Sequence, residues 1–137
     1  MALLLVAFAI AGAQQVPVAG LHLVPEVMWP APTYRLLGKT CDQLVAKVAL
    51  PKGATLESPQ CYRMDLADPD QSATYLYFIA RSLAERFTLE RETMQGENAL
   101  VQTWRGKEKT LLFFVRFDDK RFTIVVGWLQ AQKPKSS

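Results

Sequence analysis

LLFFVRF, residues 111–117, decides how this chain is built. As a strand it sends Leu111, Phe113, Val115 and Phe117 to one face of a sheet and Leu112, Phe114 and Arg116 to the other. A small antiparallel sheet usually shows water a polar second face. Here both faces carry large apolar groups. Both therefore need cover, and the rest of the chain must supply it or leave a patch.

Downstream, Asp118-Asp119-Lys120 is a turn, and residues 121–130 alternate as a second strand. Phe117 opposite Phe122 aligns Val115 with Ile124, Phe113 with Val126 and Leu111 with Trp128. Upstream, period-two stretches at 88–94 and 99–105 are joined by Gln95-Gly96-Glu97-Asn98. Gly106-Lys107 leads from there into the strand beginning near Lys109. A two-residue turn starting at Gly106 sets Leu100, Gln102 and Trp104 on the face of Leu111 and Phe113. A one-residue slip would invert that assignment.

Before these strands lies the clearest helix signal. Asp68 is a capping residue, Pro69 stands at the first helical position, and Asp70 is an acid in the first turn. Leu76, Ile79, Ala80, Leu83 and Phe87 follow at helical spacing, with Arg81, Ser82, Glu85 and Arg86 opposite. The spacing predicts a helix over 69–87 with one buried face. Its polar face is mixed in charge, which argues against a membrane-surface helix.

Closer to the N-terminus, Thr40 and Gln43 have capping-box spacing. Cys41, Leu44, Val45 and Val48 share one face of a short helix that Pro51 ends. PKGATLESPQ reads as loop with a short strand at Ala54–Glu57, and CYRMDL, 61–66, as a strand at one edge of the sheet. In residues 14–35, Pro17, Pro25, Pro30 and Pro32 exclude a continuous helix and leave an extended segment. Its apolar residues, Val16 to Trp29 among them, need something to lie against.

Short connections favour sequential antiparallel neighbours. The fold expected is α+β: an amphipathic helix packed on one face of an antiparallel β-meander of four to five strands, with a short N-terminal helix. The other sheet face holds Leu112, Phe114, Val125 and Leu129, with Gly127 as a shallow spot opposite Leu112. The short helix and the Pro-rich strip are the spare material that can cover it, and cover is the preferred arrangement. Left bare, those four residues form the candidate interaction surface.

The first thirteen residues, MALLLVAFAIAGA, have no charged side chain and end in Ala-Gly-Ala, as an export signal does. No Lys or Arg precedes the apolar run, so either the α-amino group supplies the charge or the true start lies upstream. An uncleaved segment holding the chain at the membrane is the alternative. The expected organisation is an export signal at 1–13, the Pro-rich segment at 14–35, one α+β domain at 36–130 and a disordered tail at 131–137. With 50% apolar and 21% charged residues, the chain has the balance of one that folds around a core. Cys41 and Cys61 fit an exported protein as a single disulfide.

The remaining motifs carry little. Phe114-Val115-Arg116-Phe117 matches the tail of the RNA-recognition signature, but Leu111 replaces its glycine. Gly38-Lys39-Thr40 lacks the first glycine of a phosphate loop. His22 is the lone histidine, too few for the common metal triads. Asp65, Asp68 and Asp70 cluster, but Asp68 is explained as a helix cap and Asp70 as a first-turn acid, with no calcium-loop glycine following. Glu90 and Glu92 are explained by a solvated face. Arg105, Lys107, Lys109, Lys133 and Lys135 near one hairpin end and the tail keep an edge soluble. The net charge of +3 gives only weak attraction to anionic surfaces.

No catalytic residue, cofactor or metal site is expected. The function expected is that of an exported, non-enzymatic envelope or secreted domain, binding another macromolecule through a sheet face or edge. The partner expected is an envelope or extracellular protein, not nucleic acid, with membrane association weak at most. The alternative is a small carrier holding an apolar ligand between the sheet and the N-terminal strip.

Overall fold

The structure, a computed structural model, describes residues 15–118 and 120–131. Strands β1 (Gln15–Gly20) and β2 (Met28–Leu36) come first, followed by the short helix α1 (Lys39–Val45). Strand β3 (Ala54–Asp65) leads through a 3₁₀ turn at Pro69–Gln71 into helix α2 (Ser72–Ala84). Four strands complete the chain: β4 (Thr88–Met94), β5 (Ala99–Arg105), β6 (Thr110–Asp118) and β7 (Arg121–Ala131). They form one seven-stranded sheet in the order β1-β2-β3-β7-β6-β5-β4. Every pairing is antiparallel.

This corrects the expected four to five strands and the N-terminal position of the short helix, which instead stands between β2 and β3. The missing strands come from the Pro-rich strip. Proline forbids a helix but is tolerated where a strand has no neighbour to bond. Pro17 sits on the edge strand β1, and Pro30 and Pro32 precede Thr33, where β2 begins its pairing with β3. The stretches 54–57 and 61–66 are likewise one strand. A bulge between Glu57 and Gln60, with Ser58 at φ 53°, lets β3 bend and continue beside β7.

The β6–β7 hairpin has the expected register, Phe117 facing Phe122 and Leu111 facing Trp128. Between β5 and β6 the turn centres on Lys107-Glu108, one residue later than expected, with Gly106 N–H donating to Lys109 O at 2.8 Å. Moving the turn by one residue shifts the register by two, so parity is kept and Trp104 still shares a face with Leu111. Gly106 is held by space rather than by turn geometry: a Cβ there would stand 2.8 Å from the Phe87 ring.

Asp68 caps as expected, its carboxylate accepting from Asp70 N at 3.1 Å, but the first turn is 3₁₀ and α2 starts at Ser72. α2 buries Ile79 and Leu83 on the face of Phe113, Ile124 and Val126. Leu21, Val24, Val27 and Trp29 of the strip are buried in that same cluster. The buried tyrosine and glutamines here are bonded, whereas Trp29 Nε1 is buried without a hydrogen-bond partner. Tyr62 OH donates to Gln60 Oε1 at 2.7 Å and accepts from His22 N at 3.1 Å. Burial raises the Tyr62 pKa above its ordinary value, against smaller lowering by the His22 N–H and the Arg35 charge. Gln102 accepts from the Trp104 indole at 3.0 Å and donates to Glu92 at 2.6 Å.

Candidate functional site

On the opposite face the sheet is divided by row. Cross-strand register aligns Phe114, Val125, Cys61 and Leu36 in one row, and Arg116, Thr123, Arg63 and Tyr34 in the next. The apolar side of that boundary is covered. α1 and the segment after it lay Leu44, Val45, Val48 and Leu50 over Leu112, Phe114 and Val125. The Cys41–Cys61 disulfide joins cover to sheet at the boundary row. The other end of the cover is held by one amide: Gln95 accepts from Ala49 N at 2.9 Å and donates to Lys47 O at 2.7 Å.

The candidate interaction surface thus lies under the chain itself. Leu112, Phe114 and Val125 are buried, Phe114 being 3% exposed, and Leu129 is partly buried at the margin. The division of labour differs from the expectation that helix and strip share this face. The helix covers it, and the strip packs on the other face beside α2. Its Leu21, Val24, Val27 and Trp29 are buried there. The shallow spot at Gly127 is occupied too. A Cβ at Gly127 would stand 2.6 Å from Leu56 Cγ, so the glycine makes room for a side chain of β3.

α1 begins at Gly38 without a side-chain cap, so the Thr40–Gln43 capping box is not formed. His22 is exposed, with its backbone alone engaged. The acidic cluster disperses, since Asp65 lies against Arg63 while Asp68 caps. A bulge between Leu89 and Arg91 separates Glu90 from Glu92, which turn to Arg105 and Gln102 respectively. Lys109 Nζ lies 5.1 Å from the centre of the Trp128 ring. Residues 1–14, Lys133 and Lys135 lie outside the described residues, and with them the export signal and most of the tail. Among the described residues no group of His, Cys, Asp or Glu is placed to hold a metal ion.

Two features remain open. The first is the edge strand β4, every residue of which is exposed. Its first half carries Glu90, Arg91 and Glu92 and a bulge, devices that discourage edge pairing. Its second half is regular and ends in Met94, 58% exposed. Met94 borders a cleft on each side of the sheet. One, of about 220 Å³, is walled by Leu76, Leu100, Val115 and Phe117. The other, of about 210 Å³, is walled by Leu50, Pro51, Thr93 and Val101.

The second open feature is the uncovered half of the α1 face, a basin of about 450 Å³ lined by Arg63, Arg116, Arg121 and Thr123. Sequence reasoning placed Arg116 and Thr123 on this face but had no means of bringing Arg63 beside them. That requires the β3–β7 pairing, between strands more than fifty residues apart. Comparison of the chain with family models, curated proteins and solved structures finds no match.

Proposed function

We propose that this chain is an exported, non-enzymatic domain that binds an envelope or extracellular protein by taking an extended segment of that partner onto β4. The observation that carries the reading is the pair of clefts beside Met94, one on each side of a strand with one free edge. An added strand sends alternate side chains to opposite faces, so apolar residues two apart on a partner would share one cleft and their neighbour the other. Backbone pairing would supply affinity, and the clefts would select the sequence. The opposite edge is less suited, because β1 carries Pro17 and a bulge between Val18 and Gly20. The disulfide supports export, since such bonds persist in oxidising compartments.

A photo-crosslinking residue placed at Thr93, and separately at Val16, tests this in the producing cell. One partner captured reproducibly from position 93 and not from 16, and lost when Met94→Asp is added to a folded chain, is the expected result. Equal capture from both edges, or none from β4, overturns it.

A further inference from the structure

We propose that the open half of the α1 face is a binding site for a small organic oxyanion. The charged group would sit between Arg116 and Arg63 across Thr123, with its apolar body against Leu36 and Leu44. This site stands apart from the β4 edge and does not depend on the reading given to that edge.

Arg116, Thr123 and Arg63 are direct neighbours on β6, β7 and β3. With strands ~4.8 Å apart, the two arginines leave the sheet about 10 Å from each other with a hydroxyl between them. Two guanidinium groups on strands flanking one hydroxyl are donors of the kind that bind the paired oxygens of a carboxylate or phosphate. Arg121 adds a third positive charge from the next row.

The forks are not fully used within the chain. Arg116 Nε is buried with no hydrogen-bond partner. Arg63 Nε lies 3.3 Å from Asp65 Oδ1, inside ion-pair reach, yet it too lacks a hydrogen bond. Its guanidinium is steadied by the Tyr34 ring, whose centre is 5.0 Å away. Asp118 also borders the basin, but among the described residues no carboxylate is in ion-pair contact with Arg116 or Arg121. A buried donor without an acceptor is rare in folded proteins, and Arg116 is one at the wall of this recess.

Size and wall chemistry narrow the ligand. The volume, about 450 Å³, exceeds what a bare inorganic ion fills and lies within the range of small-molecule sites. Leu36 and Leu44 form an apolar wall on the side of α1. The chemistry is therefore an oxyanion on a short apolar body. Carboxylates and phosphate monoesters both meet it.

The test uses the disulfide-bonded chain at low ionic strength, titrated with hexanoate, hexyl phosphate and 1-hexanol while backbone amide resonances are followed. Saturable shifts at Arg63, Arg116, Thr123 and Leu44 with either anion, and none with hexanol, are expected. The tighter of the two anions identifies the head group. Arg116→Gln should weaken binding at least about ten-fold, the loss of one charge-assisted hydrogen bond. It should leave the thermal midpoint of the free protein no lower than before. The exposed Arg121→Gln, which keeps the buried rows intact, should weaken binding several-fold and decides the matter if Arg116→Gln fails to fold. Absence of saturable shifts at millimolar anion, equal shifts with hexanol, or unchanged affinity in the folded variants overturns the proposal.

Discussion

One sheet face of this protein holds two regions that differ in almost every respect, although they share the same strands. Around Phe114 and Val125 the face is apolar, covered by α1 and the segment after it, and bonded to its cover by Cys41–Cys61. Two residues along the same strands, at Arg116 and Thr123, the cover stops and the basin opens. The boundary falls where the alternating residues change from apolar to charged. A short helix contributes stability by removing apolar area from water, and over arginines it has none to remove. Cover goes where burial is favourable, and what stays open keeps hydrogen-bonding capacity for something else.

The sharpest way to break this contrast is to make the covered region resemble the open one. Phe114→Asp puts an unpaired charge under α1, and we expect a loss of about 3–5 kcal/mol, enough to unfold much of the population. Urea denaturation followed by intrinsic fluorescence measures it. A folded variant with α1 still protected from hydrogen exchange would show that the cover is incidental.

Removing the disulfide comes next. Cys41→Ala/Cys61→Ala opens a loop of 20 residues and should cost about 2–4 kcal/mol. Hydrogen exchange should rise first in residues 39–50, while α2 stays protected on the other face. Uniform loosening of both faces would mean that the disulfide serves the whole fold rather than the cover.

Gly127→Ala probes how tightly the covered region is packed. The new methyl would meet Leu56 at 2.6–2.7 Å, and we expect a loss of about 1–3 kcal/mol. If Leu56 is the obstacle, Leu56→Ala should cost less in the Gly127→Ala background than in the parent chain, a non-additivity read from thermal midpoints.

These contrasts also explain what could be read from sequence. The β6–β7 register was legible because a short turn and strict alternation leave little freedom, and the disulfide was legible because only one pairing exists. Parity across Gly106 survived a wrong turn position because displacing a turn by one residue shifts the register by two. The strip was misjudged because four prolines conceal strand character when one does not know which backbone groups have partners. The clefts beside Met94 depend on α2 and the 49–51 segment reaching opposite sides of one strand. The basin depends on β3 meeting β7. No local pattern encodes such distant pairings, so both candidate sites were invisible while most of the elements around them were not.

A finer prediction concerns the one side chain that holds the far end of the cover. Gln95 makes two hydrogen bonds to the backbone of Lys47 and Ala49. Gln95→Ala should cost about 1–2 kcal/mol, reduced by water reaching these exposed groups. The amide of Ala49 should exchange faster, with α1 itself little changed.

The smallest expected effect sharpens the comparison most. Arg116 stands two residues after Phe114 on the same strand and points to the same face. Replacing it by Met keeps the apolar stem and removes a guanidinium whose Nε is buried without a partner. Taking away a poorly compensated charge is neutral or stabilising in general. We therefore expect Arg116→Met to change stability by less than about 0.5 kcal/mol, or to raise it slightly. Any gain should shrink with added salt, because relief of repulsion from Arg63 and Arg121 is partly screened. Urea titrations at low and high ionic strength, in a buffer free of phosphate and carboxylate, would read both numbers. A loss near that of Phe114→Asp would show that the two regions are one structural unit, and that the arginines serve the fold rather than a ligand.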